Sequence, residues 1–251
     1  MMSNLCNALK HQWLLFLLSL SFFTRVPINL STEIKPEMLH DASRYFALVG
    51  LFIGGVLSLV FLGLSLLLPI EIAILLTMAG NIVLTGAFHE DGWADVWDGF
   101  GGGWSVEQKL TIMKDSRLGT YGAAALMLAL MVKYQSLLVL TQSLSLVIYG
   151  FVLANTMSRT LATSLIFSLN YVSEDATAKV SVTSLTILLF TSLSILVLGY
   201  VLDIITIEQS VYLIVIMIMT RSTLKYWFTK QLGGFTGDCL GAAQVVSEII
   251  I

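Results

Sequence analysis

The chain has 251 residues, 57% of them hydrophobic and only 12% charged, with a mean hydropathy of +0.88. A water-facing surface needs roughly twice that share of charge, about 25%, so a soluble fold is excluded. The net charge of -3 gives no basic face for nucleic acid; Cys6 and Cys239, near opposite ends with no CxxC or Cys/His spacing, read as reduced and structural.

In chain order, the apolar run 14–23 lies between Lys10 and Arg25. It is about ten residues long, where a span needs about 20, and reads as a short interfacial or re-entrant helix. Thr24-Arg25-Val26-Pro27 stops it, and it lacks the small-residue cleavage site of a signal peptide. Residues 29–44 read as a polar loop carrying Glu33, Lys35, Glu37, His40, Asp41 and Arg44. His11 and His40 lie in loops with no paired ligand and receive no role.

Spans are expected over about 45–68, 72–88, from Gly122 to about 140, 144–169, 180–202 and 211–228. Gly50, Gly54 and Gly55 mark a face of the first where another helix approaches closely. Pro69 and Glu71 form a tight turn, and Asn81 requires a buried partner. Ser105, with glutamate close behind, opens a cytoplasmic helix whose Leu110 and Met113 rest at the bilayer interface. A second polar loop covers Asn170 to Lys179, and a short amphipathic tail follows Ala242. The fold class is therefore all-α: a polytopic membrane helix bundle of about six transmembrane helices plus a short N-terminal helix and a cytoplasmic helix, in one domain over 1–251.

The turns 69–71, 141–143 and 203–210 contain none of the 13 Lys and Arg residues. The positive-inside rule then places the opposite loops, and both termini, in the cytoplasm.

One polar stretch stands out, His89-Glu90-Asp91-Gly92-Trp93-Ala94-Asp95-Val96-Trp97-Asp98, followed by Gly99, Gly101, Gly102 and Gly103. It holds four of the 16 acidic residues. If the chain is helical there, Asp91, Asp95 and Asp98, spaced four and three apart, share one face and repel unless a cation intervenes. Carboxylate oxygens without cysteine suit Mg²⁺ or Mn²⁺, which commonly borrow phosphate oxygens from a substrate. The stretch reads as a diphosphate-handling site, against the plainer reading of a solvated acidic loop.

Arg159 falls near the middle of the fourth span, and Arg221 and Lys225 in the sixth. Charge at that depth costs at least about 2.5 kcal/mol, so these residues face a polar cavity, an ionic partner or the interface. Arg159 and Arg221 read as holders of a phosphate-bearing substrate, or as members of internal ion pairs. Lys133 and Lys225 lie near span ends, where snorkelling explains them equally well. Asp238 is a further carboxylate, in the glycine-rich turn Thr236-Gly237-Asp238, where backbone N–H groups can approach a phosphate closely; an exposed turn before the final helix explains it equally well.

His89-Glu90-Asp91-Gly92, Ala94-Asp95, Asp98-Gly99, Met113-Lys114-Asp115-Ser116-Arg117-Leu118-Gly119-Thr120-Tyr121-Gly122 and Gly233-Gly234-Phe235-Thr236-Gly237-Asp238 together resemble the cobalamin 5'-phosphate synthases, also called adenosylcobinamide-GDP ribazoletransferases. Phe23-Thr24-Arg25-Val26-Pro27 fits the same pattern, and Trp93 stands where the family more often has leucine. The likeness covers nearly the whole chain. It implies an inner-membrane enzyme of cobalamin biosynthesis that joins adenosylcobinamide-GDP to α-ribazole, or its 5'-phosphate, and releases GMP with Mg²⁺.

On that resemblance Glu90, Asp91, Asp95 and Asp98 hold one or two Mg²⁺ ions, and Asp98 or Asp115 accepts the ribazole proton. Lys114 and Arg117, one turn apart, pair with phosphate oxygens, and His89, Arg159, Arg221 and Asp238 complete substrate binding. Whether copies form a homo-oligomer is left open. Two alternatives remain: a phospholipid synthase like the CDP-alcohol phosphatidyltransferases, whose Ala-Arg pair is missing here, and a secondary transporter.

Overall fold

The computed structural model describes residues 2–30, 34–172 and 179–251. Within them the secondary structure is helical, apart from an isolated bridge between Tyr171 and Phe235. In a membrane this is the economical solution, because a helix satisfies its own backbone groups. Helix α1 covers Met2–Phe23, α2 Pro36–Ala42, α3 Phe46–Ser65, α4 Ile70–Thr85, α5 Phe88–Gly102, α6 Val106–Met113, α7 Thr120–Leu140, α8 Leu144–Ile166, α9 Val182–Val201, α10 Ile207–Leu232 and α11 Gly237–Ile250. Five helical stretches are long and apolar enough to cross a membrane: Glu37–Ser65, α7, α8, α9 and α10. Taken together as one broken span, α4 and α5 make a sixth. The chain is a multi-pass membrane protein.

Several features depart from the expectations. Helix α1 runs for 22 residues, because its polar first half, with Lys10, His11 and Gln12, stays helical ahead of the apolar run. Thr24 ends it, its hydroxyl donating to the Leu20 carbonyl at 2.7 Å. The first polar loop is largely helical, as α2 and the short 3₁₀ turn Ser43–Tyr45; Glu33, and residues 173–178 of the second loop, lie outside the described residues. Asn81 is buried, and its Oδ1 has no hydrogen-bond partner among the described residues.

A further departure positions the site. The second span does not run on into the acidic stretch: Gly86 and Ala87 both take left-handed backbone angles, φ 69° and 59°, and α5 leaves α4 at 88°. Thr24-Arg25 braces this elbow. The Arg25 amide donates to the Leu84 carbonyl at 2.8 Å, and a Cβ on Gly86 would lie 2.2 Å from Arg25 Nε.

At the centre, α3 packs most extensively on α8. Gly50 and Gly54 make this possible, since Cβ atoms there would lie 2.1 Å from the Asn155 carbonyl oxygen and 2.6 Å from that of Phe151. Helix α11 is no surface tail. It lies between α5 and α8 and buries Cys239, Gly241, Ala242, Ala243, Gln244, Val245 and Ser247. The glycine-rich turn before it is fixed by the short bridge, in which Phe235 N donates to the Asn170 carbonyl and Val172 N to that of Phe235, each at 3.0 Å.

Candidate active site

Helix α5 carries Asp91, Asp95 and Asp98 on one face, as the four-and-three spacing requires, and their surroundings grade along it. Asp91 is exposed, Asp95 half-buried and Asp98 buried. Asp95 feels the charges of Asp91, Asp98 and, from the start of α11, Asp238. The two helices meet so closely at this point that a Cβ on Gly92 would lie 2.9 Å from the Asp238 backbone. Burial holds the Asp238 carboxyl above the usual carboxylate range, with the Asp91 charge pushing the same way. Asp91, Asp95 and Asp238 therefore form one acidic face from two helices.

Asp98 is engaged elsewhere. Its Oδ2 accepts from Gly119 N at 2.7 Å and its Oδ1 from Gly122 N at 2.8 Å, so the carboxylate caps the first turn of α7. The two glycines are needed for that approach, since a Cβ at either would lie 2.4 Å from an Asp98 oxygen. Glu90 feels the charges of Glu248, Lys133 and Arg159, and its Oε2 is buried with no hydrogen-bond partner among the described residues. His89, also buried, stacks on Phe23 with ring centroids 5.6 Å apart, and Trp93 packs into the main core beside Trp97.

The cytoplasmic helix expected from Ser105 is α6, opened by a capping box between Ser105 and Gln108. It ends at Met113, so Lys114 is its C-cap and Arg117 lies beyond it instead of one turn further along. Arg117 bonds Asp115 through Nε and Nη2, the latter at 2.6 Å from Oδ2. That pairing holds the Asp115 carboxyl below its ordinary range.

Arg221 reaches the C-terminal end of α8, donating to the Ser164 hydroxyl at 2.7 Å, the Ser164 carbonyl at 3.0 Å and the Ser168 hydroxyl at 2.8 Å. Arg159 is almost wholly buried. Its Nη1 donates to the carbonyl and side-chain oxygens of Asn155 at 2.8 and 3.0 Å and lies 3.8 Å from Glu248. Lys133 does not snorkel; its ammonium donates to Glu248 at 2.6 Å in the interior. Glu248 was missed because the last helix reads as a tail. The available signal was its small residues, Gly241, Ala242, Ala243 and Ser247, which allow close packing on α5.

Among the described residues no three His, Cys, Asp or Glu side chains converge into a complete metal cage. The donors on the acidic face are all carboxylate oxygens, which suit a hard divalent ion that takes its remaining ligands from water and substrate. Beside this face a cavity of ≈ 500 Å³ opens between α1, α5, α8 and α11, with Phe88 and Gly237 on its wall.

The sequence matches the model of the cobalamin-5-phosphate synthase family over residues 15–251. The chain belongs to that family. Its relatives include the adenosylcobinamide-GDP ribazoletransferases of Vibrio parahaemolyticus, 46% identical over 97% of this chain and 92% of that protein, and of Shewanella piezotolerans, 45% identical over 96% and 94%. That of Shewanella frigidimarina is 46% identical over 94% and 91%. No solved structure matches. The chain is thus a membrane transferase of cobalamin synthesis, and these relatives favour neither the phospholipid-synthase nor the transporter alternative.

Proposed function

We propose that the chain joins adenosylcobinamide-GDP to α-ribazole or its 5'-phosphate and releases GMP. A ribazole hydroxyl attacks the phosphorus on the cobinamide side; the bond to the GMP oxygen breaks, and the hydroxyl proton passes to a carboxylate. The observation that carries this reading is the acidic face shared by α5 and α11, which gathers Asp91, Asp95 and Asp238 in a chain with few charges, together with the names of its relatives.

Asp91 and Asp95 are the proposed holders of Mg²⁺. When bound, the ion would offset charge on the diphosphate and on the leaving GMP. Asp238, with its carboxyl raised by burial, takes over from Asp98 and Asp115 as the proposed proton acceptor. Asp98 has both oxygens bonded to backbone amides, and Asp115 is tied to Arg117. Lys114 and Arg117 stand exposed beyond α6, where they attract the diphosphate electrostatically.

The turns 66–69, 141–143 and 202–206 lack lysine and arginine. By the positive-inside rule the acidic face therefore opens to the cytoplasm of a bacterial inner membrane, where nucleotide-activated substrates occur. The test is nucleotide release from detergent-solubilised protein given both substrates, with and without Mg²⁺. GMP that requires all three supports the assignment; no GMP from folded protein overturns it.

A further inference from the structure

The proposed reaction leaves unassigned a polar face on the outside of α10. Over the last third of that helix Ser222, Lys225, Tyr226, Thr229 and Lys230 follow one another at spacings of three, one, three and one, which gathers them on one side. All five are exposed, while Leu224, Phe228 and Leu232, on the other side, are buried. Towards the middle of the helix the same outward side continues as the exposed apolar residues Val215, Ile218 and Met219. Only 11% of the apolar stretch of α10 is buried inside the protein, so in a bilayer this face meets lipid.

Among the described residues neither lysine forms an ion pair; the Lys230 ammonium lies 5.9 Å from the Tyr226 ring centroid. The acid of α10, Glu208, sits at the far end of the helix, in its first turn. Helix α10 has 26 residues, about 39 Å at about 1.5 Å per residue, against about 30 Å of hydrocarbon. If it enters that layer at Ile207, the Lys225 backbone lies about 3 Å short of the other boundary and Lys230 lies beyond it. Both ammonium groups then reach the level of the lipid phosphates, Lys225 by extending its stem. The Ser222 and Thr229 hydroxyls donate to the Ile218 and Lys225 carbonyls at 2.7 and 2.8 Å, which leaves their oxygens to accept. Two cations at the edge of an apolar layer, without a counter-ion from the protein, are neutralised when an anionic headgroup supplies one. A second copy held through this face would instead set lysines against lysines.

We propose that this face of α10 is a binding site for an anionic phospholipid, with the headgroup phosphate between Lys225 and Lys230 and the acyl chains along Val215, Ile218 and Met219. The same end of α10 packs on the acidic helix: the Trp227 ring centroid lies 5.8 Å from that of Trp97 and 5.0 Å from that of Phe100. Lys109 of α6 donates to the Gln231 side chain there at 2.6 Å. A lipid held on the outer face thus steadies the helix end on which α5 and α6 rest. The site stands independently of the transferase reading.

The experiment titrates delipidated protein in non-ionic detergent with phosphatidylglycerol, or with phosphatidylcholine carrying the same chains. Native mass spectrometry counts the bound lipids and gives a Kd for the first of each. One lysine near an anionic headgroup is worth about fivefold in affinity, so wild-type protein should prefer phosphatidylglycerol by at least about tenfold. In the double variant Lys225→Gln, Lys230→Gln that preference should fall to about threefold or less, with the phosphatidylcholine Kd unchanged. The control Lys10→Gln, Lys35→Gln removes the same charge from exposed positions elsewhere and should keep the wild-type preference. No preference in wild-type protein, an undiminished preference in the α10 variant, or an equal loss in the control overturns the site. Displacement of phosphatidylglycerol by an equal concentration of soluble glycerol 3-phosphate would make a free phosphate the ligand and also overturn it. So would a dimer that the α10 variant dissolves while its lipid preference stays, since a second copy would then be the occupant.

Discussion

Lys133, on α7, donates to the Glu248 carboxylate, on α11, across 2.6 Å, with 19% and 7% of the two side chains exposed. Arg159 adds a second cation 3.8 Å from the same carboxyl group. Breaking one member of a buried ion pair costs about 3–5 kcal/mol, because the partner is left charged in a poor solvent. Glu248→Gln should therefore lower the thermal transition in detergent sharply, and adding Lys133→Met should recover part of the loss. A single variant as stable as wild type would mean that the pair is hydrated.

Asp95 and Asp98 should part company on substitution. Asp95→Asn is expected to abolish GMP release with little change in melting temperature. Asp98→Asn places an NH₂ group against a backbone donor and should cost about 1–3 kcal/mol of stability by freeing the start of α7. Thermal melts run beside the GMP assay separate the two outcomes.

The glycines of α3 give an internal control. Gly50→Ala drives a methyl against the Asn155 carbonyl and should destabilise by at least about 1–3 kcal/mol as α3 and α8 separate. Gly55→Ala, with nothing within 4 Å of the new atom, should cost nothing. Comparing the two melts tests the α3–α8 contact directly.

Ser105→Ala removes the acceptor for Gln108 N, found at 3.2 Å, and should cost about 1 kcal/mol locally. Amide hydrogen exchange in α6 is the sensitive readout, since the helix is only 8 residues long.

The spans and the close-packing face at Gly50 and Gly54 were legible in the sequence, because hydropathy and small residues directly report what a bilayer and a neighbouring helix demand. The common face of Asp91, Asp95 and Asp98 followed from helical spacing alone. Their different partners did not: those of Asp98 come from 21 and 24 residues further along the chain. The elbow was hidden because Ala87 takes a left-handed conformation that no local residue preference announces. Helix α11 was hidden because its 14 residues carry Asp238 and Glu248, and only tertiary contacts with α5 and α8 make it interior.

The elbow at Gly86-Ala87 also bears on the depth of the proposed site. Helix α4 has 16 residues, which at about 1.5 Å per residue gives about 24 Å, whereas the hydrocarbon layer is about 30 Å thick. If α4 starts at one boundary, it turns some 6 Å before the other, and α5 then runs sideways at that level instead of climbing out. Its aspartates would then rest on a submerged ledge, and water would have to dip, or the leaflet thin, to reach them. On such a ledge a nucleotide arriving from solution and a bulky partner resting against the membrane surface can meet without either crossing the lipid.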